Sequence, residues 1–174
     1  MNYLYHSVPK DLKGDYLMPL NELKKEHPKI YKKILKEYSD RKNLLKAKIP
    51  CLNCLWNEVI HLTSTNPWEL KKAFINAGGK DWNRNKFFKI NPKLLDKSKA
   101  VIYQSSNTGI RIFKKDFMEF SLKNIKKLNK VPEKTKRHFR DSLRRNEYSF
   151  AFAYTPHILY KGRLKIKDLK IIKI

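Results

Sequence analysis

The sequence has only two cysteines, Cys51 and Cys54, which form a single C-x-x-C pair. A structural zinc site needs four ligands, and the chain has no second pair at a suitable spacing. A redox C-x-x-C opens a helix that follows a strand, whereas Pro50 precedes this pair and Leu-Trp-Asn follows it. We therefore expect reduced, partly buried thiols, no bound metal and a cytoplasmic location.

Long apolar runs are also missing from the sequence. No stretch approaches the roughly 18 apolar residues that a membrane-spanning helix requires. The segment Met1–His6 lacks the basic region and the apolar core of a signal peptide. We therefore expect no membrane association.

Several sequence motifs of common enzyme classes do not occur. The chain contains no G-x-x-x-x-G-K-[ST], G-x-G-x-x-G, H-E-x-x-H or G-x-S-x-G. This argues against P-loop, Rossmann, zincin and hydrolase-elbow chemistry. The carboxylates Asp96, Asp116 and Glu119 are scattered, which also argues against a two-metal nuclease.

Acidic residues are scarce compared with basic ones. Sixteen Asp and Glu oppose 40 Lys and Arg, which gives a formal net charge of +24. The cations are spread along the whole chain, and such a field attracts polyanions at long range. We therefore expect RNA or single-stranded DNA as substrate or ligand. An acidic protein inhibitor and a surface kept soluble by its charge are the alternatives.

The densest group of cations falls in a predicted helix from Pro132 to Arg145. Thr135, Phe139 and Leu143 form a narrow apolar stripe on it. The other faces carry cations that we expect to contact nucleic acid: Lys134, Lys136, Arg137, Arg140, Arg144 and Arg145. A solvated helix is the alternative interpretation.

The hydrophobic pattern predicts one α+β domain over residues 1–174. Strands at both ends would form a mixed or antiparallel split sheet, with helices inserted between them. The predicted strands are Tyr3–Val8, Glu58–Thr63, Phe87–Ile90, Ala100–Gln104, Gly109–Phe113, Ser149–Tyr154, His157–Lys161 and Leu169–Ile174. The predicted helices are Leu20–Glu26, Pro28–Lys46, Pro67–Ala77 and Pro132–Arg145. We expect the aromatic residues from Tyr148 to Tyr154 to lie in the core, and any exposed aromatic to be able to stack bases.

Three histidines lie in predicted strands whose faces are half apolar: His6, His61 and His157. Imidazole suits acid–base catalysis near neutral pH, and it also binds phosphate or ribose. Arg41 interrupts the apolar stripe of the helix Pro28–Lys46. These residues either converge in one cleft that binds an anion, or they are packed strand residues and an arginine whose head reaches water.

Short motifs resemble the ADP-ribosyltransferase-like superfamily. The start Leu4–Pro9, Leu-Tyr-His-Ser-Val-Pro, is similar to that of its histidine-first branch. The step His61-Leu62-Thr63 is similar to the His-Leu-Ser step of the RNA 2′-phosphotransferase branch, which also uses NAD. The cluster Thr63-Ser64-Thr65 is similar to the Ser-Thr-Ser of the arginine-first branch. The segment His157–Gly162 resembles the closing strand of small basic proteins of this kind.

The resemblance implies a domain of this fold that transfers ADP-ribose from NAD to nucleic acid, as a toxin or defence effector. It implies contacts with NAD from Tyr5, His6, Ser64 and Thr65, with His6 holding the ribose. The phosphotransferase branch uses Arg and His for its chemistry.

Catalytic roles follow from the same resemblance. Arg41 and His61 would hold phosphate or position the acceptor. Glu119 would supply the carboxylate that stabilises a developing oxocarbenium ion, and Glu147 is the second candidate for this role.

Two other functions use the same residues. A metal-independent ribonuclease would take its base and acid from His6, His61 and His157, and a cation from Arg41. A non-enzymatic RNA- or DNA-binding module would need the basic helix but not the histidines. The nuclease would not need NAD, and the binding module would tolerate replacement of His6 and His61.

Overall fold

The structure, a computed structural model, describes residues 2–36, 38–39, 42–104 and 112–174. Within these ranges the chain forms six α-helices: α1 (Leu20–Glu26), α2 (Pro28–Lys36), α3 (Lys42–Leu45), α4 (Pro67–Asn76), α5 (Leu122–Lys127) and α6 (Glu133–Arg144). No helix in the described ranges is long and apolar enough to cross a membrane.

The same ranges contain eleven β-strands: β1 (Leu4–Ser7), β2 (Tyr16–Leu17), β3 (Lys48–Ile49), β4 (Cys54–Leu55), β5 (Ile60–Thr63), β6 (Lys86–Ile90), β7 (Ala100–Tyr103), β8 (Phe117–Glu119), β9 (His157–Tyr160), β10 (Leu164–Lys165) and β11 (Lys170–Lys173). Seven of them form one sheet in the order β11-β6-β1-β5-β9-β7-β8. Every adjacent pair in this sheet is antiparallel. The predicted α+β class is confirmed.

The sheet consists of two parts that meet at one point. All four residues of β1 pair with β6, from Leu4 opposite Ile90 to Ser7 opposite Phe87. Within the described residues, Tyr5 and Thr63 form the single pair between β1 and β5. Paired strands lie about 4.8 Å apart, so β1 and β5 separate on leaving this pair. The junction therefore opens the sheet at its centre.

The two faces of the sheet are packed differently. Cross-strand partners share a face, and the row Leu62, Ile158 and Ile102 belongs to the larger core cluster. This face also buries Ile125 of α5. The opposite face carries two smaller clusters, one around Trp56 beside the β3–β4 hairpin and one between α4 and α6.

Helices α4 and α6 begin near the residues that the sequence indicates. The side chain of Asn66 accepts a hydrogen bond from the Trp68 N–H at 3.0 Å, and Pro67 occupies the first turn of α4. Helix α6 begins at Glu133, after Pro132, and buries Thr135, Phe139 and Ser142. Leu143, the third expected stripe residue, is partly buried against the same cluster.

Several sequence predictions are wrong. The helix expected over Pro28–Lys46 is interrupted, because α2 ends at Lys36, residues 38 and 39 are not α-helical and α3 starts at Lys42. Ser149–Tyr154 is not a strand, and residues 151–154 form turns instead. Most of the predicted strand Gly109–Phe113 lies outside the described residues, and residues 112 and 113 are not in a strand. The short elements β8 and α5 were not predicted.

Candidate functional site

A row of side chains crosses the sheet on the face that carries the Trp56 cluster and the cluster between α4 and α6. Tyr5 pairs with Thr63, Thr63 with His157 and His157 with Tyr103. Because partners share a face, all four side chains lie on the same side of the sheet. His61 lies two residues before Thr63 on β5 and points to this side as well. The sheet thus brings two of the predicted histidines together on the face that carries Tyr5.

His61 and His157 are in direct contact. Their ring centroids are 6.4 Å apart and their planes are nearly perpendicular. The indole of Trp56 lies on the other side of His61, with a centroid distance of 4.7 Å. The His61 Nε2–H donates a hydrogen bond to the Trp56 carbonyl at 3.2 Å, which leaves Nδ1 as an acceptor.

His6 lies on the opposite face of β1, but it shares a cavity with His61. The two imidazoles line a small cavity of about 150 Å³, together with Asn57 and Tyr38. The Oδ1 atom of Asn57 is buried and has no hydrogen-bond partner among the described residues. The separation of β1 from β5 explains how one cavity reaches both histidines. The His6 Nδ1–H donates to the Ser7 carbonyl at 2.6 Å.

Burial lowers the pKa of all three strand histidines. The pKa falls to about 4 for His6, where the charge of Arg84 lowers it further, although the bond to the Ser7 carbonyl acts in the opposite direction. For His61 burial and the neighbouring His157 lower the pKa to about 3. Burial alone lowers the pKa of His157 to about 4. All three rings are therefore neutral at pH 7 and act as hydrogen-bonding groups or weak bases rather than as acids.

A second, large cavity of about 1070 Å³ lies over the junction of β1 and β5. The N-terminal segment, α4, α6 and the segment before α6 surround it. Its lining is rich in amides, tyrosines and cations: Asn2, Tyr3, Tyr5, Ser64, Asn66, Glu69, Lys72, Ala73, Asn76, Ala77, Asn129, Lys130, Val131, Glu133, Lys136 and Arg140. Glu133 is engaged by Lys136 at 2.6 Å. Glu69 has no cation partner among the described residues.

The predicted cofactor contacts divide between the two cavities. Tyr5 and Ser64 line the large cavity, and His6 lines the small one. Burial, with a smaller effect of Tyr3, raises the pKa of Tyr5. The Ser64 hydroxyl donates to the Leu128 carbonyl at 2.8 Å. Thr65 is fully buried outside both linings, and its Oγ1 has no hydrogen-bond partner among the described residues.

The predicted catalytic residues do not all come together. His61 pairs with Leu159, Leu159 with Val101 and Val101 with Glu119, so Glu119 lies three strands from His61. That separation is about 14 Å, and Glu119 is exposed on the edge strand β8. Glu119 therefore does not lie beside the strand histidines.

Glu147, the alternative to Glu119, lines neither of the two cavities. Glu147 is exposed after α6 and pairs with Arg145 at 3.0 Å. Arg41 lies outside the described residues.

The predicted nucleic-acid contacts lie on the surface of α6. Lys134, Arg137, Arg140, Arg144 and Arg145 are exposed, and Lys136 is partly buried. Lys136 and Arg140 also line the large cavity. The basic helix therefore joins the outer surface to the cavity over the sheet junction.

Sequence reasoning missed four charged residues of the large cavity, which are Glu69, Lys72, Lys130 and Glu133. Glu69 and Lys72 are three residues apart on α4 and so share a helix face, and Lys130 lies just before α6. The available signal was position, because α4 begins directly after the cluster Thr63-Ser64-Thr65. Only the folded sheet reveals that this helix overlies the β1–β5 junction.

Both cysteines are free thiols. Cys51 is exposed, and burial raises the pKa of Cys54. The described residues contain no group of three or more His, Cys, Asp or Glu side chains arranged to hold a metal ion.

Comparison with known proteins gives no match: no family model fits the chain, and neither a curated protein nor a solved structure matches it. The assignment of a function therefore depends on the geometry of the site and on the motif resemblance.

Proposed function

We propose that the chain is an NAD-using transferase that moves ADP-ribose onto nucleic acid. The observation that carries the proposal is the large cavity, which combines Tyr5 and Ser64 with Lys136 and Arg140 of the basic helix. The first pair comes from the motifs that resemble ADP-ribosyltransferases, and the second comes from the expected polyanion surface. One cavity therefore offers a place for a dinucleotide beside a place for its acceptor.

The size and the charge of the large cavity fit a dinucleotide. Its volume of about 1070 Å³ lies just above the range of roughly 300–1,000 Å³ that is typical of small-molecule sites. Lys72 and Lys130 supply cations for a pyrophosphate. The amides of Asn66, Asn76 and Asn129 are suited to ribose hydroxyls, since an amide both donates and accepts hydrogen bonds.

In this reaction the bond between ribose and nicotinamide breaks and the acceptor oxygen or nitrogen bonds to the same carbon. Nicotinamide leaves as a neutral molecule and the acceptor loses one proton. Positive charge develops on the sugar, and a carboxylate stabilises it electrostatically. Within the described part of the large cavity, Glu69 is the carboxylate without a cation partner, and we assign this role to it instead of Glu119.

The state of the histidines supports a transferase over a ribonuclease. Cleavage through the ribose 2′-hydroxyl needs a general acid that is protonated near neutral pH. With a pKa of about 4, His6 and His157 are each protonated in about one molecule in a thousand at pH 7. His61, with a pKa of about 3, is protonated still less.

The first test is a transfer assay read by mass spectrometry. Purified protein is incubated with an RNA and a matching single-stranded DNA of about 20 nucleotides, with and without NAD. We expect a gain of one ADP-ribosyl unit on one of the two strands only when NAD is present. Fragments without NAD would instead indicate a nuclease, and unchanged masses in every tube would refute transfer to nucleic acid.

Two matched variants test the assignment of the carboxylate. We expect Glu69→Gln to lower the NAD-dependent rate by about 100-fold or more, because the amide removes a charge that stabilises the transition state. Glu119→Gln makes the same change at the edge of the sheet and should leave the rate unchanged. Equal losses in the two variants, or a loss in Glu119→Gln alone, would reject Glu69.

A further inference from the structure

The small cavity beside His6 and His61 is built differently from the large one. The two linings have no residue in common among the described residues. Helices α1, α2 and α3 and strands β2 and β5 supply apolar side chains to the small cavity, among them Leu17, Leu23, Ile34, Leu45 and Ile60. In the described part of the chain, no Asp, Glu, Lys or Arg lines it. A charged ligand would lose its hydration there without gaining an opposite charge from these residues, so the cavity is suited to a neutral molecule.

Two imidazole nitrogens of this lining are left as hydrogen-bond acceptors. The Nε2–H of His61 is used by the Trp56 carbonyl and the Nδ1–H of His6 by the Ser7 carbonyl. Neither His61 Nδ1 nor His6 Nε2 has a hydrogen-bond partner among the described residues. Burial lowers the pKa of both rings, which keeps these nitrogens unprotonated at pH 7. A ligand in the cavity therefore meets two acceptors that only its own N–H or O–H groups can satisfy.

The side chain of Asn57 lines the same cavity and also lacks a partner. Its Oδ1 atom is buried and accepts no hydrogen bond from any described residue. A buried oxygen without a donor costs free energy, so a donor beside it stabilises the fold. A ligand and an ordered water molecule are the two sources of such a donor, and the experiment below distinguishes them.

The volume and the walls of the cavity define the size of the ligand. Apolar cavities of about 150 Å³ bind molecules of the size of benzene. The indole of Trp56 and the His61 ring both line the cavity, with their centroids 4.7 Å apart. Aromatic rings pack favourably against one another, offset or edge to face. The cavity therefore matches one aromatic ring, and a dinucleotide is too large to enter it.

We propose that the small cavity binds a neutral molecule with a single aromatic ring, whose O–H or N–H groups donate to His6 Nε2 and His61 Nδ1. Phenols and N–H heterocycles have this chemistry. The ring replaces water against the apolar wall, and the donors satisfy the two acceptors. The inference goes beyond the proposed transfer, because it requires neither NAD nor nucleic acid.

Phenol and toluene are the matched probes. They have nearly the same size and shape, and only phenol carries a donor. Nuclear magnetic resonance titrations of the chain, labelled in its histidines with nitrogen-15, follow each probe up to about 10 mM, which covers weak binding. We expect the wild type to bind both probes. Phenol alone should change the nitrogen shift of His6 Nε2 or His61 Nδ1, because only phenol forms a hydrogen bond there.

The double variant His6→Asn/His61→Gln removes both acceptors. Each amide can still donate to the backbone carbonyl that its histidine used, but neither places an acceptor at the lost nitrogen. We expect phenol to bind about tenfold more weakly and toluene to bind as before, because only the hydrogen bond is lost. His27→Gln/His157→Gln removes two histidines outside the cavity lining and should leave both affinities unchanged.

Leu23→Trp tests the place of binding. The larger side chain fills part of the cavity, so both probes should lose their affinity. Circular dichroism and a melting curve establish that each variant is folded.

Four results would overturn the proposal. No saturable binding of either probe to the wild type would show that water alone occupies the cavity. Equal losses of phenol and toluene in His6→Asn/His61→Gln would show a change of shape instead of a lost acceptor. The same loss of phenol in His27→Gln/His157→Gln, or unchanged binding in Leu23→Trp, would place the probes elsewhere. The transfer assay contains neither probe, so a failure of the proposed function is read separately.

Discussion

The three strand histidines are neutral at pH 7, because burial lowers the pKa of each ring. His61 and His6 each donate one ring N–H to a backbone carbonyl, so each keeps one unprotonated nitrogen. Such a ring accepts hydrogen bonds from ribose or nucleobase donors without carrying charge. The positive charge at the candidate site comes from the lysines and the arginine that line the large cavity, and not from the histidines.

Acidification should destabilise the fold through these histidines. Their pKa values fall from the ordinary 6.5 to about 4, about 3 and about 4 for His6, His61 and His157. Between these values and 6.5 the unfolded chain binds protons that the folded chain does not. The free energy of unfolding therefore decreases as pH falls from about 6.5 to about 3, and the contribution of the histidines levels off below that pH. Urea denaturation over that range measures it.

Single histidine variants identify the source of this pH dependence. His61→Gln and His157→Gln should each flatten the decline, because each removes one group that gains a proton on unfolding. His27→Gln, between α1 and α2, also removes one histidine and serves as the control. The explanation fails if His27→Gln flattens the curve as much as the two strand variants.

At the scale of elements, one buried hydroxyl contributes to the link between α6 and the segment after it. Thr135→Val keeps the shape but leaves the Ala153 carbonyl without its donor, so we expect a loss of about 1–3 kcal/mol in the free energy of unfolding. Urea denaturation provides the measurement.

Thr135→Ser separates the hydroxyl from packing. It keeps the donor and removes one methyl group, which costs about 1 kcal/mol because less apolar surface is buried. We expect it to lose less of the free energy of unfolding than Thr135→Val does. Equal losses in the two variants would show that the hydrogen bond does not hold the segment after α6.

Helices with clear start signals could be predicted from the sequence, whereas the paths of the segments between them could not. Asn66-Pro67 and Pro132 identify α4 and α6 because caps and proline act locally. The aromatic alternation after Tyr148 resembles a strand, but Ala100–Tyr103 already occupies the edge of β9 that β5 leaves open. Without a neighbouring edge the segment turns, and Tyr148 and Phe150 remain exposed.

The candidate site shows the same limit. Period-two alternation placed His61 and His157 on strand faces correctly, but their contact follows from the register of β5 against β9. The large cavity lies where β1 and β5 form one pair in the described residues, Tyr5 with Thr63. This pairing joins residues far apart in the chain, so local sequence does not predict it. Glu69 belongs to the site because α4 crosses that junction, and nothing in its local sequence distinguishes it from other surface carboxylates.

At the scale of the whole molecule, the net charge of +24 acts on folding and on binding. In the described part of the chain, ion pairs involve five cations: Lys33, Lys99, Lys136, Arg145 and Arg163. Most cations therefore repel one another across the surface. A polyanion that binds α6 relieves part of this repulsion, so binding and stability are coupled.

Salt should therefore have opposite effects on the two properties. Screening of self-repulsion raises the free energy of unfolding, and a salt titration of the urea midpoint measures that rise. The same ions weaken single-strand binding: six phosphate contacts along α6 would lower the affinity by about 300-fold between about 50 and 200 mM salt. The slope of the logarithm of the affinity against the logarithm of the salt concentration reports the number of phosphate contacts. Replacing Arg137 and Arg140 by alanine should reduce this slope by about 0.7 for each phosphate that is no longer bound. Replacing Lys170 and Lys173 on the edge strand β11 should leave it unchanged. A surface that is charged for solubility alone would show the gain in stability with no steep loss of affinity. Identical slopes for the two pairs of variants would show that α6 is not part of the binding surface.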